Sequence, residues 1–455
     1  MRTALPPVLV AALLLTLPLV TPKIRGADEI EYFAYLRSAV FDHDLEFGNE
    51  YAHFHAQDPV GLAGFKGTFL DLREPATGRH INFAPLGTAL LWAPAYLAAH
   101  VAVLAARALG ADVAADGFSR PYVMAVCYAS WAYGMAGLLL LYRSLAGDGG
   151  FGERAAWATG AVLWGTPLLY YVTLGPGFSH AASLFAVALL LWLTLWMRRR
   201  GFTLGRAALV GAAGGLAALV REQDGLLLVV PAVVVAWEAW RERRLLAGFA
   251  RLATMGLAAL AVFIPQLLAY RAINGAFGPS RLVARKMSYG SPHALAVLFD
   301  PAHGLFAWAP LLFLAAAGLL LAAGRARRGD AVPLALLGAL LLQVWINGSV
   351  ESWTQAGAFG SRRFVSATPM LAWGLAALLS VAVPRLGRRA VAACLLAFAW
   401  WNVSLMVQFG LRLMDRQRLE WPRVAVNQVT EVPRHLARSA ALFFTDRERL
   451  VREGR

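Results

Sequence analysis

The sequence predicts an all-α polytopic membrane protein, and three observations carry that reading. Of the 455 residues, 59% are hydrophobic and only 15% are charged, with a mean hydropathy of +0.56. A soluble chain carries about 25% charged residues. The apolar residues gather in runs of about 20, the length that takes a helix across a bilayer core. Between the runs lie short loops rich in arginine, the mark of a chain threaded repeatedly through a membrane. A formal charge of +15 and a pI near 10.4 would suggest nucleic acid in a soluble protein. Here the excess belongs to the loops, and no nucleic-acid partner is expected. Cys127 and Cys394 both fall inside apolar runs, which excludes a disulfide framework and a cysteine-based zinc site.

The first run, residues 5–20, is read as an uncleaved transmembrane helix occupying 1–20, because no small-x-small cleavage site precedes Pro22. Residues 82–109 are also long and apolar enough to span. If they do not cross, the sixteen arginines of the short loops from Arg143 to Arg389 all fall on the cytoplasmic side; if they do, all sixteen move outside. The segment is therefore read as helices, interrupted at Pro85 and Pro94, lying on the outer membrane surface. They belong to a long external segment, 21–120, whose 12 acidic residues outnumber its 8 basic ones. Residues 121–411 then hold transmembrane helices 2 to 11, over 121–142, 155–174, 179–197, 202–220, 226–240, 252–270, 304–323, 331–348, 364–383 and 390–411. With the first, that makes about eleven. A basic tail, 412–455, falls outside, with an amphipathic surface helix expected around 434–444. The protein is placed, multi-pass, in the cell inner (cytoplasmic) membrane, with its site facing the periplasm or exterior.

Three outer features hold residues suited to chemistry. Just after the first span come Asp28, Glu29 and Glu31, followed by an acidic stretch with Asp42, Asp44 and Glu50. Carboxylates at a membrane surface suit a base or a cation ligand. The plainer account is a helix start, with Asp28 as the cap and Glu29 and Glu31 favouring the dipole. His43, His53, His55 and His80 lack a spacing that marks a metal site. The second feature is Arg221-Glu222-Gln223-Asp224, squeezed between two apolar runs, where charge is costly and points to function. A self-neutralised turn is the alternative. The third is the loop from Glu351 to Phe364, which carries Arg362 and Arg363 on the side that the positive-inside rule leaves poor in cations. Arginine grips phosphate through paired hydrogen bonds. Anchoring of the loop in the lipid headgroups is the alternative. Arg281, Arg285 and Lys286, and His180 at the start of a span, are lesser candidates of the same kind.

This layout resembles the GT-C class of membrane glycosyltransferases, the group that includes the lipid A aminoarabinose transferases and the protein O-mannosyltransferases. The residues that carry the likeness are Asp28-Glu29 after the first span, with Tyr32 downstream, and Asn82-Phe-Ala-Pro85-Leu86-Gly87. The likeness covers the layout of roughly residues 1 to 380. It departs from the pattern where Phe-Ala-Pro-Leu stands for Lys-Pro-Pro-Leu, and where Ser-His180 stands for an acid. The resemblance implies inverting transfer of a sugar from a polyprenyl-phosphate donor to a hydroxyl of a glycan, lipid or protein acceptor on the outer face, with membrane lipid as a further partner. It implies Asp28 and Glu29 as the catalytic pair and Arg221, Arg362 and Arg363 as the donor-phosphate ligands. Asp44, Glu50, Asn82, His180, Gln223 and Asp224 would bind substrate. No metal site is assigned; no cofactor is called for, and a divalent cation is left open. The competing class is a transporter or flippase of lipid-linked or small anionic substrates, which needs the arginines but no base. The two readings part on whether Asp28 shares one cavity with Arg221 or Arg362.

Overall fold

The structure is a computed structural model, and it describes residues 6–326, 330–355 and 357–453. Arg2, Arg327, Arg328 and Arg455, which enter the charge reading above, lie outside the described residues. Helices dominate, and among the described residues no strand forms; only Arg73 with His80 and Met287 with Val350 make isolated bridges. Seven of the described helices are long and apolar enough to cross a membrane, and four shorter apolar helices accompany them. Leu245–Asn274, with 30 residues, is about 45 Å long at 1.5 Å per residue.

The predicted apolar runs form helices where hydropathy placed them, with boundaries set by local chemistry. Proline stands in the first turn of the helices Arg120–Arg143, Pro310–Gly324, Val332–Gly348 and Thr368–Leu386, where its missing N–H would have had no helical partner. Arginines fill the last turn of His180–Arg200, where positive charge meets the negative end of the helix dipole. The run 155–174 is not one helix. It breaks into Glu153–Trp164 and Leu168–Thr173 around Gly165 and Pro167.

Close helix approach depends on glycine. A Cβ at Gly211 would overlap the Met255 carbonyl, and one at Gly215 would overlap the Ala259 carbonyl. Gly318 and Gly374 face each other in the same way between Pro310–Gly324 and Thr368–Leu386. Small residues at such contacts bring backbones close, and the packing gained replaces the hydrophobic driving force that lipid removes.

The two ends of the bundle differ in charge. At one end the arginine loops are tied together by ion pairs from Arg199 to Asp148 at 3.0 Å, from Arg198 to Asp330 at 2.8 Å, and from Arg388 to Glu153. The opposite end gathers the start of Ala27–Arg37, the start of His180–Arg200, the turn after Leu204–Val220 and the loop ahead of Thr368. This second end is called the site end below.

Residues 82–109 depart from the expectation in two respects: they form one helix, and it stands along Arg120–Arg143 instead of lying flat, being itself one of the seven long and apolar enough to cross a membrane. Pro94 does not interrupt them: Gly87–Ala108 is a single helix of 22 residues. It runs antiparallel to Arg120–Arg143, with Tyr133 donating to the Leu91 carbonyl at 3.0 Å, Trp92 to Ser130 at 2.7 Å, and His100 joined to Tyr122 at 2.7 Å. Arg120–Arg143 in turn packs alongside His180–Arg200, Gly134 meeting Ala181 and Gly137 meeting Leu184. The residues before Tyr133 therefore project about 20 Å past the start of His180–Arg200. Gly87–Ala108 lies along that projection and rises from the site end.

The tail also reaches the site end. Its amphipathic helix extends over Glu431–Thr445, and Arg447 beyond it bonds the carbonyls of Val20 and Pro18 at the end of the first helix.

Candidate active site

Ala27–Arg37 opens on a cap unlike the expected one. Gly26, not Asp28, is the N-cap, and the Glu29 carboxylate reaches back to accept from the Arg25 amide at 2.7 Å and the Gly26 amide at 2.8 Å. This is the acidic half of a capping box. Gly26 is required by close approach, since a Cβ there would lie 2.8 Å from the Phe178 ring. The cap fixes Asp28 in the first turn with its carboxylate 40% exposed, and Arg362 meets it at 2.9 Å. Phe178 also lies under the Arg362 guanidinium, 5.1 Å from ring centroid to carbon, so one aromatic ring seats both the cap and the cation.

Beside this pair stands a polar network built from five chain segments. Arg221 has extended backbone just after Leu204–Val220. It donates to Ser179 Oγ at 3.3 Å, His180 Nδ1 at 3.1 Å and Gln223 Oε1 at 3.4 Å. Tyr32, one turn along from Asp28, donates to the same Ser179 hydroxyl at 3.0 Å. Gln223 donates to Gln343 at 3.0 Å and to the Arg363 carbonyl at 3.0 Å, and Gln343 returns a bond to the Gln223 carbonyl at 3.1 Å. Gln355 accepts from the Arg363 amide at 3.1 Å, and Ser352 from its guanidinium at 3.1 Å. Asp224, fully buried, accepts from Ser183 at 2.6 Å. Gly87 packs so tightly on the backbone of Leu219 and Val220 that a side chain there would overlap it, which seats the turn carrying Arg221.

Two buried donors of this network have no acceptor among the described residues: Arg363 Nη1 and His180 Nε2. Guanidinium can only donate, so the Arg221 bond makes His180 Nδ1 the acceptor and leaves the ring hydrogen on Nε2. Buried donors without partners are rare and call for an explanation. Arg221 and Arg362 lie close enough for each to act electrostatically on Arg363 and His180. The cluster therefore concentrates positive charge beside the Asp28 carboxylate, and its chemistry suits an anion beside a proton acceptor.

The structure thus brings Asp28, His180, Arg221, Gln223, Asp224, Arg362 and Arg363 to one place. Four predicted residues are engaged elsewhere. Glu29 is turned to its own helix start and is 3% exposed; its carboxylate holds backbone amides, which corrects its assignment as a catalytic group. Burial pushes this carboxyl up to about 7, against the pull of the Gly26 and Arg25 amides. Asn82 is saturated by local bonds, donating to the Glu31 carbonyl at 3.1 Å and accepting from the Ala84 amide at 2.9 Å. Asp44 accepts from Ser38 at 2.7 Å, and Glu50 pairs with Arg37 at 3.0 Å, beyond the far end of Ala27–Arg37. These three residues shape the segment instead of lining the pocket.

Sequence reading named Glu31 and Tyr32 without giving them a place in the site, and it missed Ser179 and Gln343. Glu31 accepts from the Phe83 amide at 2.5 Å, tying the acidic helix to the turn before Gly87. Burial and the neighbouring Asp28 raise its carboxyl well above the usual range. The others are neutral polar groups inside or beside apolar runs, where the only available signal is the cost of burying them. The loop histidines form no cluster: His80 pairs with Glu46 and Arg73, and His53 stacks on Phe118 with ring centroids 3.9 Å apart. Among the described residues no group of three or more His, Cys, Asp and Glu could hold a metal ion.

No family model matches the chain, and no curated protein matches it. Several solved structures resemble it, among them the following two. One is ArnT from Cupriavidus metallidurans bound to undecaprenyl phosphate, with 19% identity and a TM-score of 0.49 over 98% of this chain and 75% of that one. The other is the apo oligosaccharyltransferase of Archaeoglobus fulgidus, with 15% identity and a TM-score of 0.48 over 93% of this chain and 54% of that one.

Proposed function

We propose that the protein is an integral membrane glycosyltransferase that moves a sugar from a polyprenyl-phosphate donor to a hydroxyl acceptor, with inversion, at the outer face of the cytoplasmic membrane. The observation that carries this reading is the meeting of Asp28 and Arg362 at 2.9 Å, close to the further cations Arg221 and Arg363. The resemblance of the Asp28-Glu29 loop and the Pro85-Leu86 turn to the GT-C class supports the choice of donor.

In this mechanism the acceptor oxygen attacks the anomeric carbon, the bond from that carbon to the phosphate oxygen breaks, and the hydroxyl proton passes to Asp28. A base must lie within hydrogen-bond reach of the proton it takes, and the partly exposed carboxylate is the accessible one in the pocket. The departing phosphate gains negative charge, which Arg221, Arg362 and Arg363 meet with donors already in place. The unpartnered hydrogens on Arg363 and His180 are matched by phosphate oxygens. Donor phosphate also competes with Asp28 for Arg362, so that loading the donor releases the base. Gln223 and Asp224 hold the turn that presents Arg221.

The decisive experiment is turnover of a radiolabelled polyprenyl-phosphate sugar by purified protein in proteoliposomes. Transfer that Asp28→Asn abolishes supports the reading. Movement of label across the bilayer with no transferred product would favour a transporter and refute it.

A further inference from the structure

A second surface at the site end lies outside the pocket. The loop after Leu245–Asn274 carries Arg281, Arg285 and Lys286, all exposed, and no acidic residue occurs from 275 to 299. Beside these cations, Phe277 is 64% exposed, Tyr289 63% and Leu282 37%. Two acids touch the edges. Glu74 is buried and bonded to Ser280 at 3.2 Å, and Glu351 joins the Lys286 carbonyl through its amide at 2.9 Å. The surface stays basic and apolar at once.

The loop connects two membrane-spanning regions, so it lies at the level of lipid headgroups. Exposed aromatic side chains there sit in the interface, and cations are drawn to lipid phosphate. Neither a soluble anion nor a neutral lipid uses both halves of such a surface. We infer that this loop is a docking surface for anionic phospholipid headgroups, with the cations on phosphate and Phe277, Leu282 and Tyr289 in the outer acyl region.

The surface is also tied to the site. Met287 bridges Val350, the Ser288 amide bonds the Ser349 carbonyl at 2.7 Å, and Tyr289 accepts from Trp345 at 2.9 Å. Three residues past Ser349, Ser352 receives the Arg363 guanidinium. A headgroup held on the loop therefore steadies the segment that positions Arg363.

The test is retention of lipid by the purified full-length protein, measured by native mass spectrometry after titration with phosphatidylglycerol or phosphatidylcholine. Wild type is expected to retain phosphatidylglycerol preferentially, and the combined variant Arg281→Gln, Arg285→Gln, Lys286→Gln to bind it about one hundredfold more weakly, each cation near an anionic surface being worth about fivefold. An unchanged melting temperature in phosphatidylcholine shows that the variant is folded; if it fails to fold, the single Arg285→Gln variant with an expected loss of about fivefold replaces it. Asp28→Asn is expected to retain the lipid as wild type does, which separates this surface from the pocket. Equal retention of the two lipids by wild type overturns the inference. So does undiminished retention by the loop variant, loss of retention in Asp28→Asn, or displacement of the lipid by an equal concentration of inorganic phosphate.

Discussion

Arg221 donates to Nδ1 of His180 at 3.1 Å, and this one bond decides what the histidine can do. It assigns the ring hydrogen to Nε2, so His180 offers a donor and not a basic nitrogen. In the proposed mechanism that leaves Asp28 as the proton acceptor.

Asp28→Asn keeps the shape of the side chain and removes the basic oxygen. Turnover is expected to fall by about 10² to 10⁴, the usual contribution of a positioned base, while donor affinity rises, because the neutral amide competes less with phosphate for Arg362. Single-turnover kinetics with the lipid-linked sugar, alongside a direct binding measurement, reads both quantities. A turnover matching wild type would remove Asp28 from the chemistry.

Arg362→Lys tests the guanidinium itself. Lysine keeps the charge but cannot contact Asp28 and a phosphate through a rigid fork, and it stacks less well on Phe178. The rate is expected to drop about 10²-fold or more, with Arg362→Ala lower still. Comparing kcat with donor affinity shows whether the loss falls on the leaving phosphate. A variant that loses only donor affinity would make Arg362 a ground-state ligand.

Much of this was legible in the sequence, and the misses have physical causes. Hydropathy located the spans because burying an apolar run in lipid is decided by the run alone. Charge located Arg221, Arg362 and Asp28 because ions at a span end are expensive enough to stand out. Glu29 and Glu50 carry the same charge as Asp28, yet their partners, two local amides and Arg37, emerge only when the chain folds. Ser179 and Gln343 carry no charge to notice. Pro94 was read as a break, but one missing hydrogen bond in a long helix is tolerated where neighbours such as Trp92 and Tyr96 anchor both sides.

Glu29 gives the protein a predictable pH response. Its carboxyl stands at about 7 when folded against an ordinary 4.5, so the folded state holds its proton more tightly than the unfolded chain. Stability from this group is full below about 4.5 and declines as pH rises to about 7, by an amount on the order of 3 kcal/mol. Glu29→Gln retains an acceptor for the capping amides and carries no titrating proton. Its melting temperature in detergent is expected to fall less than wild type's between pH 5 and pH 8. Parallel curves for the two proteins would refute the assignment.

Gly211→Val should loosen the contact between Leu204–Val220 and Leu245–Asn274. The added side chain meets the Met255 carbonyl, and overpacking of this kind costs about 1–3 kcal/mol. A lower melting temperature is expected, while Gly256→Val, at a position with open space around it, should change little. The pair separates backbone contact from a general intolerance of bulk in these helices.

The Asp28 and Arg362 pair also sets an order of events during biosynthesis. The acid precedes its cation by most of the apolar helices, so Arg362 is translated long after Asp28. At roughly 5–20 residues per second, the two are separated by about 20 to 70 s. Throughout that interval the nascent chain carries the acid with no Arg362 to meet it, and no fragment ending before residue 362 can form the pair of Asp28 with Arg362. A chain that stalls partway therefore lacks the pair on which the proposed chemistry depends.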